Sequence, residues 1–112
     1  MIKTNLLGES VGIFAMCEGR HDCPIEDAIF PNTVPVMAFG KLELMAENKL
    51  KPLIEEHKIT KLVVYVSGCT PAIVAIINTC LKLKIRELTL MHFDSVSVGF
   101  QPQKVVMLPD VF

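Results

Sequence analysis

The chain predicts a small α/β sandwich built on a partly parallel sheet, and three observations carry that expectation. A β-branched apolar run, Leu62-Val63-Val64-Tyr65-Val66, stops at Ser67-Gly68-Cys69-Thr70. A strongly apolar helical stretch begins at once from Pro71 through Ala72-Ile73-Val74-Ala75-Ile76-Ile77. A second strand-like run, residues 87–93, follows it, and a helix joining two strands brings the chain back in parallel. With 112 residues there is room for one core and too little for two, so positions 1–112 are read as one α/β domain.

Residues 11–16, Val-Gly-Ile-Phe-Ala-Met, read as the first strand. Residues 17–32 carry Gly19, Pro24, Pro31 and Asn32 among charges and read as a long loop, with a short helical turn over 25–29 as its one regular piece. Residues 34–39 are a second strand candidate, which Pro35 confines to a sheet edge or a strand start. Over 41–58, Leu42, Leu44 and Met45 fit either a strand end or a first helical turn. Leu50, Leu53, Ile54 and His57 then recur at three- and four-residue spacing, which favours a helix. Pro52 suits the first turn of that helix and is costly deeper inside.

The run 61–66 is a strand, and 71–83 is a helix with Thr70 as N-cap and Pro71 at its first position. The run 87–93 is the next strand. Residues 95–98 alternate polar and apolar and are expected to pair with 104–108 across a turn at 99–103. This order describes a small Rossmann-like three-layer or two-layer sandwich, with a partly parallel sheet and a C-terminal antiparallel hairpin.

Composition narrows the classes of function. Hydrophobic residues make up 51 % of the chain and charged ones 21 %. That apolar excess implies surface beyond what one small core hides, and a homodimer is its expected outlet. The helix 71–83 is apolar nearly all round, which predicts cover from its sheet on one side and from a partner subunit on another. A net charge of −1 provides no broad basic field for long nucleic acid. A small anionic ligand needs only a local positive spot. No run reaches the roughly 18–20 apolar residues of a membrane span. Met1-Ile2-Lys3-Thr4-Asn5 lacks the apolar centre of a secretory signal. Four cysteines without a dense framework fit free thiols in a reducing cytoplasm.

Candidate chemistry gathers at predicted strand ends. Ser67, Gly68, Cys69 and Thr70 join a buried strand to a helix N-terminus, where unpaired amides and the positive end of the helix dipole attract anions. Gly68 lets the backbone approach closely. The plain alternative is an ordinary βα turn with a threonine cap. No Walker lysine is present, which argues against an ordinary NTPase. Cys69 sits where a dipole lowers a thiol pKa. With no arginine in the loop and no adjacent histidine, a small turn residue is the preferred reading.

His92 and Asp94 close the strand 87–93 at the same sheet edge, and alternation puts both on one face. His92 offers a general base or a metal ligand, with Asp94 to orient it. The plain alternative is a polar strand end before an aspartate-initiated turn. Cys17, His21 and Cys23 have a spacing unlike common zinc sites and lack an obvious fourth ligand, so no metal is expected. Arg20 and His21, after the first strand, are candidate residues to meet an anion. No cofactor is implied.

Residues 62–103 resemble, over about 40 positions, small CRISPR-associated (CARF-like) proteins with a Rossmann-like fold. The matching pieces are Val64-Tyr65-Val66-Ser67-Gly68-Cys69-Thr70-Pro71, then Leu88-Thr89-Leu90-Met91-His92-Phe93-Asp94, then Val96 to Val106. The resemblance implies binding of a cyclic oligoadenylate at a dimer two-fold axis, and for some members its cleavage as a ring nuclease. On that reading Ser67, Gly68 and Thr70 hold a phosphate and His92 or Asp94 faces the scissile ribose. The loop departs from a catalytic pattern in having no basic residue. The competing expectation is a non-enzymatic interaction module of a homo-oligomer, in which the Ser67 loop is purely structural. A thiol-dependent enzyme using Cys69 is a third.

Overall fold

In the computed structural model, which describes residues 1–19 and 23–107, the chain runs β1 (Ile2–Thr4), β2 (Ser10–Cys17), β3 (Ala28–Phe30), α1 (Phe39–His57), β4 (Ile59–Tyr65), α2 (Thr70–Lys82), β5 (Glu87–Asp94) and β6 (Gly99–Val105). The six strands form one mixed sheet in the order β1-β2-β4-β5-β6, with β3 beside β2. Strands β2, β4 and β5 are parallel, while β1 and β6 are antiparallel edges. Successive parallel strands are added in one direction, so crossovers of one hand set both helices on the same face. The result is a two-layer α/β sandwich.

Its core lies between helices and sheet. Phe14 and Met16, Leu62 and Val64, Leu88 and Leu90 alternate along the parallel strands and meet Leu42, Ala46 and Leu50 of α1. Ala72, Ala75, Ile76 and Cys80 of α2 complete it. Gly12 is needed where β2 passes beneath this layer. A Cβ there lies 2.8 Å from Leu62 Cδ2 and 2.8 Å from the Phe14 ring. Burial pushes the Cys80 thiol up to about 12, so it stays neutral and acts as a small apolar residue.

Helix α2 has its second cover within the chain. Helix α1 lies along it, with Asn78 Nδ2 donating to Glu43 (2.7 Å) and Lys82 Nζ donating to Glu47 (2.8 Å). Val74 and Leu81 are left exposed.

Several expectations give way. Residues 34–39 are not a strand: Ala38 N–H donates to the Pro35 carbonyl in a turn, and α1 begins at Phe39. Pro52 lies well inside α1 rather than in its first turn. The helix tolerates the lost bond to the Asn48 carbonyl because Leu42, Ala46 and Leu50 are anchored in the core on the turns before it. Residues 25–29 form no helical turn, and Ala28–Phe30 pair in parallel with β2. The three-residue strand β1 was not foreseen, being too short to show a period.

The C-terminal hairpin pairs differently from the expected register. Residues 99–103 are strand and 95–98 are the turn, so β6 adds to β5. Asp94 sets this turn, accepting from Val96 N–H (3.0 Å) and Ser97 Oγ–H (2.9 Å). Among the described residues no helix is long and apolar enough to cross a membrane.

Candidate functional site

The loop between β4 and α2 is shaped by its backbone. Val66 N–H still donates to the Met91 carbonyl (2.9 Å), and the chain then turns out of the sheet. Gly68 takes φ +56°, a left-handed conformation that side-chain-bearing residues adopt at a cost, and a Cβ there would point into open space. The N-cap of α2 is Cys69 rather than Thr70, with extended dihedrals and no side-chain hydrogen bond to the helix. Thr70 is the first helical residue, because Pro71 accepts the second position readily and the Cys69 carbonyl takes the first helical bond, from Ile73 N–H.

This arrangement sorts the amides around the helix start. Cys69 N–H is taken by the Ser67 carbonyl at 2.7 Å, and Pro71 has none. The amides of Gly68, Thr70 and Ala72 have no acceptor among the described residues, which leaves donors at the positive end of a 13-residue helix. Ser67 Oγ is enclosed and has no hydrogen-bond partner. Such a hydroxyl, lacking an acceptor, costs about 1–3 kcal/mol relative to a bonded one.

A cavity of about 620 Å³ lies over this loop, across the C-terminal ends of the parallel strands. Ser67, Gly68 and Thr70 line one side. His92, half-buried, lines another, its Nε2 sharing a 2.7 Å hydrogen bond with Gln103 Oε1. Tyr65, Phe93 and Phe100 form an aromatic wall, with Tyr65 and Phe93 each edge-on to Phe100 at centroid distances of 4.8 and 5.6 Å. The remaining lining includes Cys17, Gly19 and Cys23. Donors for an anion, an imidazole and a face for a planar ring therefore share one space.

Of the residues named from sequence, the structure brings Ser67, Gly68, Thr70 and His92 to the cavity. Cys69 packs toward the core beside it and does not line it. Asp94 is also outside the lining, held in the β5–β6 turn. There the Ser97 hydroxyl, with the Val96 amide, keeps its carboxyl below the ordinary range. Arg20 and His21 lie outside the described residues. Among the described residues, no group of three His, Cys, Asp or Glu side chains could hold a metal ion.

The aromatic wall was missed. Tyr65 and Phe93 stand two residues before Ser67 and one after His92, so strand alternation could have found them. Phe100 depended on the hairpin register. No protein-family model, curated protein or solved structure matches this chain.

Proposed function

We propose that the chain binds a small anionic nucleotide of the cyclic oligoadenylate kind as a homodimer, on a reduced Rossmann-like unit. One observation carries the reading: a single cavity joins the uncapped start of α2 to three aromatic rings and His92. A phosphate fits the amides of Gly68, Thr70 and Ala72, where the helix dipole adds to the attraction. The Ser67 hydroxyl, which has no hydrogen-bond partner, belongs to the same loop. A base fits the wall of Tyr65, Phe93 and Phe100, since ring stacking is worth about 1–3 kcal/mol per base.

Cleavage is the further step in this proposal. A 2′-hydroxyl attacks the adjacent phosphorus, a 2′,3′-cyclic phosphate forms, and the 5′-oxygen leaves with a proton. Positioning and stabilisation of the phosphorane charge carry most of such a step, and a metal is not required. His92 is the proton-transfer group the cavity offers, with Ser67 and Thr70 beside the phosphate.

Calorimetric titration with cyclic tetra- and hexa-adenylate, with chromatography of the incubated mixtures, tests both parts. Binding is expected for wild type and lost in Gly68→Val, which is strained at φ +56°, so circular dichroism first checks that the variant is folded. Absence of binding to either ring overturns the reading.

A second reading, a non-enzymatic interaction module of a homo-oligomer, is favoured by one feature. Phe39, Pro71 and Val74 line an apolar groove of about 390 Å³ between the starts of α1 and α2. On that reading Gly68→Val changes stability and nothing else.

A further inference from the structure

Helices cover the parallel strands on one face only. Parallel sheets occur almost exclusively with both faces covered, because βαβ strands are apolar on both sides. Here Val11 and Ile13 on β2, Val63 and Tyr65 on β4, and Met91 and Phe93 on β5 point away from the helices. None of them joins the core cluster, and Phe93 is 45 % exposed. On β6, Phe100 and Pro102 continue the same face beside Phe93 and Met91. Charge is confined to the margin, with Lys61 and Glu87 at one end, Lys3 at the β1 side and Lys104 at the β6 side. An apolar centre with a charged rim is the anatomy of an interface.

We infer that the occupant is a second copy of this chain, packed sheet against sheet about a two-fold axis that runs between β4 and β5. The inference rests on the homodimer proposed above and names its interface. Registry decides the occupant. Lys61 and Glu87 are Cα partners on the two central strands, 3.6 Å apart side chain to side chain and both solvent-accessible. An axis lying in the interface parallel to the strands exchanges β4 with β5. It sets Lys61 against Glu87 of the partner subunit, twice. The same operation sets Val63 against Thr89 of the partner subunit and Tyr65 against Met91 of the partner subunit. The two central strands are thus complementary to their own copy in charge.

Area sets the strength. Four strands spaced about 4.8 Å and seven residues rising about 3.3 Å each give a face of roughly 19 by 23 Å. Two such faces bury on the order of 900 Å², at the weak end of specific interfaces. The dimer is therefore concentration-dependent.

Sedimentation velocity over about 1–300 µM tests this, a range that brackets weak association constants. Wild type is expected to shift from monomer to dimer. Lys61→Glu alone and Glu87→Lys alone each place like charges in register and weaken the dimer at least 10-fold. Mixing the two variants restores it, because each copy then meets the opposite charge on the other. An intrachain role for the Lys61–Glu87 pair predicts no such rescue. Val63→Arg abolishes association outright.

A wild type that remains at 12.4 kDa throughout overturns the inference, as does a dimer indifferent to both charge variants or a mixture that fails to associate. Neither Lys61 nor Glu87 lines the cavity, whereas Tyr65, Phe93 and Phe100 belong both to its wall and to the paired face. Calorimetry with cyclic tetra-adenylate on the two charge variants, kept dilute and monomeric, therefore reads the ligand site apart from the dimer.

Discussion

The two faces of the sheet use nearly the same residue types on alternate positions of the same strands, yet they do different work. Leu62, Val64, Leu88 and Leu90 are buried against α1 and α2. Val63, Tyr65 and Met91, one residue along from Leu62, Val64 and Leu90, stay partly open, as does Phe93 at the end of β5. The contrast teaches that apolarity alone does not mark the core. Cover does, and cover is a property of topology.

Substitutions can break that contrast. Phe14→Ala, at a fully buried position on the covered face, is expected to cost about 3–5 kcal/mol in urea unfolding, through lost transfer energy and a cavity that cannot collapse. Gly12→Ala, on the same face, should cost about 1–3 kcal/mol, because its methyl meets Leu62 and Phe14 below contact distance. Val63→Ala, on the open face and measured in dilute protein, should cost about 1 kcal/mol or less. Equal losses for Phe14→Ala and Val63→Ala would show that the two faces are equally covered.

Titration sharpens the comparison further. Cys80 is buried on the core side of α2 with its thiol raised to about 12 from 9.0, so the folded chain keeps a proton that the unfolded chain loses. Stability should then fall with rising pH between about 9 and 12. Cys80→Ala should remove that slope, and Cys80 should be slower to react with a thiol reagent than the half-buried Cys69.

The smallest effect belongs to Asp94 at the exposed turn. Its folded pKa is lowered, so its contribution is present above the unfolded value and is lost as pH falls through the folded one. Asp94→Asn should flatten the acid limb of the unfolding profile slightly.

The centre of the fold was legible. The run ending at Val66 and the helix from Pro71 are continuous and apolar, and burial enforces both. The margins were not legible. Strands β1 and β3 have three residues each, too few for a period, and gain their conformation by pairing with β2. Pro35 and Pro52 misled in opposite directions, the first sitting in a turn rather than a strand and the second deep within a helix that its core contacts hold. In the candidate site, Ser67, Gly68, Thr70 and His92 were readable because strand ends on one sheet edge converge. Phe100 was not, since its place depends on a hairpin whose turn is set by Asp94 hydrogen bonds.

Strand β6 closes one side of the sheet, and Pro102 stands midway along it opposite Met91. A proline there offers no amide hydrogen, so a foreign strand cannot zip along this border without a gap. At the other border β1 gives a newcomer only three residues to grip. The molecule can display a sticky sheet surface and still resist fibre growth, because stacking ends at a pair whereas lateral extension would not end at all.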